Sequence, residues 1–202
     1  MAEKKDLLYI DCCIRGAQSR TRQLADAFLE VLEARGDFTI DRLVLTEEAL
    51  QPLQGDYFWQ RERLLEAGLL DHPRFGYARR FARADRILVA APFWDLSVPA
   101  LLKLYFEQVS VHGISFDVDE AKGELFGICR ADKLVFLTTR GGAYNDSPLE
   151  TGIPFMSNLT AFFGIETFDH VVADGLDLLF EPPEVILDRA KEEARKLAAN
   201  WR

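Results

Sequence analysis

Residues 7–35, LLYIDCCIRGAQSRTRQLADAFLEVLEAR, contain the pattern that decides the fold. The apolar run at 7–11 predicts a short buried strand. Residues 21–35 carry apolar side chains at the i, i+3, i+4, i+7 spacing of an amphipathic helix, and Gly36 stands where a helix commonly ends. The chain is therefore expected to pass from a buried strand, through a short polar loop, into a helix.

The same order of strand, loop and helix continues along the chain. Apolar or alternating runs predict four further strands, at 38–45, 86–91, 133–138 and 167–173. Helical spacing predicts further helices at 57–70, 75–83, 99–112, 154–163 and 184–201. Five strands that alternate with helices imply a parallel sheet with helices on both faces, and right-handed crossovers make it doubly wound. We expect a single α/β domain over residues 1–202.

The composition limits the functions to consider. The 24 basic and 33 acidic residues give a formal charge of −9, which argues against nucleic acid and anionic membranes as main partners. No apolar run is long enough to cross a membrane, and the first ten residues lack the features of a signal peptide. The three cysteines, two of them adjacent, argue against a disulfide framework and fit a reducing cytoplasm. The histidines are scattered and there is no CxxC pair, so no metal site is predicted.

Three unusual loops follow the first, third and fourth predicted strands. We call them loop one (CCIRGAQSRT, 12–21), loop two (PFWDLS, 92–97) and loop three (TRGGAYNDSP, 139–148). Ligands of doubly wound sheets bind outside the carboxyl ends of the strands, which is the edge where all three loops should meet.

Loop one predicts an anion site. It leads to a helix N-terminus, where free N–H groups and the helix dipole favour negative charge, and it adds the hydroxyls of Ser19 and Thr21 and several arginines. It contains neither GxxxxGK[ST] nor GxGxxG, so it favours a terminal phosphate monoester over a pyrophosphate. The alternative is an ordinary helix start with Ser19 as the N-cap.

Loops two and three predict a flat end of the same pocket. Phe93 and Trp94 follow a buried strand and could pack under a planar ring, although core packing is the usual role of such aromatics. Gly141 and Gly142 let the backbone approach a ligand closely, although a plain turn would use them too. Together the three loops describe a pocket with a phosphate end and an aromatic end, a shape that fits a mononucleotide.

With these motifs, the chain resembles the FMN-dependent NAD(P)H:quinone oxidoreductases and NADH-azoreductases of the flavodoxin-like superfamily. The resemblance runs over essentially the whole chain and is strongest in APFWDLSVPALLKLYFEQV (91–109), HGISF (112–116), FLTTRGGAY (136–144) and FFGIET (162–167). It implies a flavodoxin-like sheet of strand order 2-1-3-4-5 and a homodimer whose active sites are completed by the partner subunit. It also implies bound FMN that passes a hydride from NADH or NADPH to quinones, azo compounds or nitroaromatics by a ping-pong mechanism.

The resemblance further implies which residues form the site, with the FMN phosphate at loop one and the flavin ring between loops two and three. The cofactor-binding residues would be Cys13, Ser19, Arg20, Thr21, Pro92, Phe93, Trp94, Asp95, Leu96, Thr139, Arg140, Gly141 and Gly142. The substrate wall would be formed by Tyr144, Phe116, Phe162 and Trp59. Packing in the core or at a dimer interface is the alternative for the last three. No side chain is assigned as a catalytic acid or base.

Two positions depart from the family pattern. Serine is common where Cys13 stands, and a thiol is a weaker hydrogen-bond donor than a hydroxyl. Asparagine is common where Asp95 stands, and a carboxylate near the flavin would disfavour negative charge on the reduced ring. Either the Asp95 carboxylate is held elsewhere, or the flavin potential is lowered. These departures keep open the alternative of a binding or regulatory module without FMN. A flavodoxin-type electron carrier is the other alternative, since it would share the fold, FMN and the acidic charge, although the greater length, the aromatic cluster at 57–59 and the three loops argue against it.

Overall fold

The computed structural model describes residues 4–201, which form a five-stranded parallel sheet with helices on both faces. The strands are β1 (Lys5–Asp11), β2 (Phe38–Val44), β3 (Arg86–Ala90), β4 (Phe116–Asp119), β5 (Glu124–Gly127), β6 (Lys133–Thr139) and β7 (Thr167–Ala173). The helices are α1 (Arg20–Arg35), α2 (Gly55–Glu66), α3 (Gly76–Arg83), α4 (Ala100–Val109), α5 (Gly152–Phe162) and α6 (Pro183–Asn200). The sheet order is β2-β1-β3-β6-β7, while β4 and β5 form a separate antiparallel pair. With that pair set aside, the predicted flavodoxin-like order 2-1-3-4-5 is confirmed.

The two faces of the sheet bury alternate residues of the same strands. On one face Leu7 and Tyr9 of β1 pack with the apolar sides of α1 and α6, and Trp201 closes this cluster. On the other face Leu8 and Ile10 pack with α3, α4 and α5. Because successive side chains of a strand point to opposite faces, a strand between two helical layers is apolar at consecutive positions. Each large apolar side chain buried in this way stabilises the fold by about 1.5–3 kcal/mol.

The hairpin of β4 and β5 is absent from the sequence-based prediction. Its strands, FDVD and ELFG, are only four residues long, and ELFG does not alternate apolar and polar residues, so the pair gives a weak strand signal. The hairpin is held by close backbone packing, since a Cβ on Gly127 would lie 1.8 Å from the carbonyl carbon of Phe163. Only a glycine allows the end of β5 to approach the end of α5 this closely.

Two predicted helices are too long. The helix predicted at 57–70 is α2, which ends at Glu66 because Gly68 takes a left-handed conformation with φ +67°. The helix predicted at 99–112 is α4, which starts after Pro99 and ends at Val109. At this end of the helix the Ser115 hydroxyl takes the place of backbone partners: it donates to the carbonyl of Val109 and accepts from the N–H of Val111. None of the helices in residues 4–201 is long and apolar enough to span a lipid bilayer.

We predict that the three free thiols react slowly in the native protein. Burial raises the pKa of Cys12 and of Cys129 to about 12, and burial together with the nearby Asp11 carboxylate raises the pKa of Cys13 further. All three therefore stay protonated at pH 8, and the thiolate is the nucleophile. Titration with an aromatic disulfide reagent should give little fast reaction in buffer and three thiols per chain in denaturant. One thiol that reacts within seconds in the native protein would contradict this expectation.

Candidate functional site

The three loops meet at the carboxyl edge of the sheet and form one cleft. This follows from the topology, because β1, β3 and β6 are neighbours and parallel, so their carboxyl ends lie side by side. The cleft is lined by Ile14, Arg15, Ser19, Arg20, Thr21, Pro92, Phe93, Trp94, Thr139, Arg140, Gly141, Leu176 and Asp177. Nine of the predicted cofactor residues are among them.

Loop one ends in a capped helix that leaves N–H groups for a ligand. Ser19 has an extended conformation as the N-cap of α1, and its hydroxyl accepts a 3.3 Å hydrogen bond from the N–H of Arg22. The N-cap interpretation is therefore correct, but it uses only one of the first N–H groups of the helix. The N–H groups of Arg20 and Thr21 have no intrahelical acceptor, since the first turn of a helix never provides one. They lie at the positive end of the helix dipole.

The Thr21 side chain ties loop one to loop three. Its hydroxyl lies 2.7 Å from the hydroxyl of Thr139, and both residues are buried at the base of the cleft. Either oxygen can donate in this pair, which leaves the other hydroxyl proton for an acceptor in the cleft. The pair fixes the distance between the helix N-terminus and the end of β6.

Cys13 is placed differently from the prediction. Its thiol is buried in the core below loop one and lies 3.8 Å from the carbonyl oxygen of Ala90, and the side chain does not line the cleft. Its N–H donates a 3.0 Å hydrogen bond to the buried carboxylate of Asp11, which also pairs with Arg42. The departure from the family pattern at Cys13 therefore concerns a side chain that packs under loop one.

Loop two is a tight turn with two left-handed residues. The N–H of Ser97 donates to the carbonyl of Trp94 at 2.9 Å, and the reverse bond is 3.0 Å long. The central residues have positive φ, 48° at Asp95 and 65° at Leu96, which identifies a type I′ turn. Aspartate tolerates this conformation, whereas for leucine it is strained.

The turn of loop two is anchored from both sides. The N–H of Phe93 donates to the carbonyl of Thr139, and the carbonyl of Leu96 accepts from the N–H and the hydroxyl of Thr151. The turn's own two hydrogen bonds do not use the N–H groups of Asp95 and Leu96. Within residues 4–201 no hydrogen bond or ion pair holds the Asp95 carboxylate, so the structure does not tie it elsewhere.

Arg140 of loop three forms the buried centre of the cleft wall. Its side chain is 1% exposed and lies between two carboxylates, 3.1 Å from Glu150 Oε1 and 3.7 Å from Asp174 Oδ1. The guanidinium also lies over the ring of Phe93, 5.0 Å from its centroid. Within residues 4–201 the guanidinium nitrogens make these ion pairs but no hydrogen bond, and Arg140 lines the cleft, so its assignment to the edge of a ligand ring stays a prediction.

The glycines of loop three lie close under side chains of the protein itself. A Cβ on Gly141 would lie 2.3 Å from Asp177 Oδ2, and a Cβ on Gly142 would lie 2.8 Å from the ring of Tyr144. The Tyr144 ring in turn lies 4.9 Å from that of Phe93, centroid to centroid. Tyr144 therefore packs beside the aromatic end of the cleft without lining it, and its role as a substrate contact stays a prediction.

The other three predicted substrate residues lie outside the cleft of this chain. Phe116 and Phe162 contact each other, with ring centroids 5.0 Å apart, at the far end of α5. Because α5 starts beside the cleft and has 11 residues, its end is about 16 Å away. Trp59 lies on the surface helix α2 with 58% of its side-chain area exposed. Their assignment to a substrate wall stays a prediction that needs a second subunit.

Four cleft residues are missing from the predicted site, namely Ile14, Arg15, Leu176 and Asp177. Leu176 and Asp177 follow β7, whose carboxyl end lies at the same edge next to β6. The signal was present in the sequence as DGLD (174–177), a turn after a predicted strand. This loop follows the fifth predicted strand and is not one of the three loops from which the site was predicted.

Comparisons with known proteins agree with this geometry. A family model described as a flavodoxin-like fold matches residues 5–198. An FMN-dependent NADH:quinone oxidoreductase 2 of Clostridium acetobutylicum is 35% identical over 199 residues, which cover 88% of this chain and 92% of that protein. An FMN-dependent NADH:quinone oxidoreductase of Clostridium perfringens is 33% identical and covers 96% of this chain and 98% of its own length.

Solved structures give the same result for the fold. The crystal structure of an azoreductase from Bacillus anthracis superposes with a TM-score of 0.86 at 25% identity, covering 97% of this chain and 99% of that one. A second structure from that species, an FMN-dependent NADH-azoreductase in complex with FMN, has a TM-score of 0.83 at 18% identity, with 98% and 99% coverage.

Proposed function

Because this chain belongs to the family of FMN-dependent NADH:quinone oxidoreductases with a flavodoxin-like fold, we propose that it binds FMN in the cleft and reduces quinones or azo compounds with NADH. One observation carries the proposal: a helix N-terminus with buried hydroxyls and an aromatic wall line one cleft at the carboxyl edge of the sheet. Nitroaromatic acceptors and NADPH as an alternative donor are part of the same proposal.

The residues at the first end of the cleft fit a phosphate monoester. Ser19, Thr21 and the N–H groups of the first turn of α1 supply donors, and Arg15 and Arg20 supply positive charge. Arg15 has no partner among the described residues, so its charge is available to an incoming anion. A dianionic phosphate at a helix N-terminus is stabilised both by these donors and by the helix dipole.

The residues at the other end fit a planar ring. Phe93 is held between the Arg140 guanidinium and the Tyr144 ring, and it forms the cleft wall together with Pro92 and Trp94. When bound, FMN supplies the hydride chemistry, and the protein supplies orientation and electrostatics. The N–H groups of Asp95, Leu96 and Gly142 would stabilise negative charge on the reduced ring in the manner of an oxyanion hole. The free Asp95 carboxylate would oppose that charge.

The donor and the acceptor would use the same exposed part of the cleft in turn, which leads to ping-pong kinetics. We place the protein in the cytoplasm, where its three thiols would stay reduced. We also propose a homodimer, in which the partner subunit covers the aromatic end of the cleft. The exposed apolar side chains of Trp94, Leu96 and Leu149 near that end support this assignment, since such surface is commonly covered by a partner.

The visible spectrum of the purified protein tests the cofactor directly. We expect flavin bands, bleaching on anaerobic addition of NADH, and thermal stabilisation of the apoprotein by FMN, amounting to about 2.7 kcal/mol at a hundredfold excess over the dissociation constant. Colourless protein that FMN does not stabilise would overturn the proposal in favour of a module without FMN. Yellow protein that cannot oxidise NADH or NADPH with menadione would indicate an electron carrier.

A further inference from the structure

Asp177 pairs with one of the two cationic side chains that face the phosphate end of the cleft. Arg20 Nη1 lies 2.7 Å from Asp177 Oδ1, and both residues line the cleft. The pair joins the first turn of α1 to the loop after β7. The guanidinium of Arg20, the residue between Ser19 and Thr21, is thus already paired with a carboxylate.

The backbone determines the position of this carboxylate. The N–H of Asp177 donates a 2.9 Å hydrogen bond to the carbonyl of Gly141, and Leu176 and Gly175 bond in the same way to Arg140 and Gly142. The second carboxylate oxygen fills the space over Gly141 where another residue would carry its Cβ. The loop after β7 therefore holds the Asp177 side chain over the cleft.

The other charges around the cleft do not compensate for this carboxylate. Arg140 is neutralised by Glu150 and Asp174, and Arg22 lies 4.0 Å from both Asp11 and Asp26. The two cations that face the phosphate end are then Arg15 and Arg20, and Asp177 is the anion that faces them. A phosphate that enters the cleft therefore approaches Arg20 while this arginine is paired with the negatively charged Asp177.

We propose that Asp177 is a specificity-determining residue that competes with the cofactor phosphate for Arg20. The proposal rests on the proposed function, because it concerns the same cleft. The side chains of Arg20 and Asp177 are 39% and 67% exposed, and an ion pair this exposed stabilises little. A guanidinium bound to a phosphate makes some of the strongest hydrogen bonds in proteins. Replacement of the Asp177 carboxylate by the phosphate as the partner of Arg20 is therefore favourable. Because this replacement still has a cost, Asp177 reduces the difference in affinity between FMN and flavins without a phosphate.

The test is the variant Asp177→Asn, which keeps the shape of the side chain and removes its charge. We expect FMN to bind the variant apoprotein about two- to fivefold more tightly than the wild-type apoprotein, because the exposed ion pair that the phosphate must displace is weak, while riboflavin binding stays unchanged. Inorganic phosphate should also become a better competitor of FMN. Flavin fluorescence quenching measures all three. The matched control is Glu181→Gln, which removes a carboxylate of the same loop that pairs with Arg189 away from the cleft.

Three outcomes would overturn the proposal. Weaker FMN binding in the variant would indicate that the ion pair instead stabilises the closed form of the cleft. Equal tightening of FMN and riboflavin would show an effect that does not involve the phosphate, and equal tightening in the Glu181→Gln control would show a general charge effect. Failure of the proposed function is distinguishable, because the wild-type apoprotein would then bind no FMN at all.

Discussion

Replacing Arg140 by methionine is expected to lower the free energy of unfolding of the apoprotein by about 3–5 kcal/mol. Methionine has a similar length, so the change removes mainly the charge. The carboxylates of Glu150 and Asp174, each 10% exposed, would remain without their shared cation. A buried charge that loses its ionic partner costs more than the ion pair contributes, because the backbone N–H groups that still donate to Glu150 and Asp174 replace only part of its lost hydration. Urea denaturation followed by circular dichroism measures the change.

Two further variants make this prediction specific. Arg189→Met breaks an exposed ion pair with Glu181 and should change stability by less than about 1 kcal/mol. Arg140→Met combined with Glu150→Gln removes one of the stranded charges, while the amide oxygen can still accept from the N–H groups of Gly152 and Ile153 at the start of α5. The double variant should therefore recover part of the loss. If Arg140→Met unfolds like Arg189→Met, the buried cluster does not stabilise the fold.

Replacing both Ser19 and Thr21 by alanine should weaken FMN binding about 100-fold or more, since two hydroxyl donors to a charged group are lost. Riboflavin lacks the phosphate, so its binding should change only a few-fold. Both hydroxyls are buried at the base of the cleft, where water replaces them poorly. The ratio of the two dissociation constants, measured by fluorescence quenching, reports the role of loop one independently of the ring.

Stability must be followed in the same experiment, because the two hydroxyls also have structural partners. Loss of the Ser19 cap costs about 1 kcal/mol, and Thr21 loses its contact with Thr139. Thr160→Ala is a suitable control: its buried hydroxyl donates to the carbonyl of Met156 inside α5. This control should lower stability without changing the ratio of FMN to riboflavin affinity. An equal loss for both flavins in the Ser19 and Thr21 variant would mean that loop one does not bind a phosphate.

The comparison of sequence and structure shows which kinds of pattern were informative. The central strands of the parallel sheet were predictable because burial on both faces makes them apolar at consecutive positions, as at 87–90 in β3. The edge strand β2 was predictable from its partial alternation of apolar and polar residues. Helix starts were predictable where a side chain contacts its own backbone, as Ser19 does at α1. The β4–β5 hairpin was not, because its strands have only four residues each and depend on the approach of Gly127 to Phe163.

The sequence by itself determined the doubly wound sheet and the edge at which the cleft lies, and it predicts anion binding at loop one. These properties depend on local periodicity and on residues that are neighbours along the chain. The tertiary structure alone decided that the Arg140 charge is directed to Glu150 and Asp174, that Cys13 lies under the loop, and that Asp177 reaches Arg20. It also separated Phe116 and Phe162 from the cleft of their own chain. The physical reason is that a charge interacts most strongly with groups a few ångströms away in space. Such neighbours are not visible in the sequence when they are far apart along the chain, as Arg20 and Asp177 are at 157 residues.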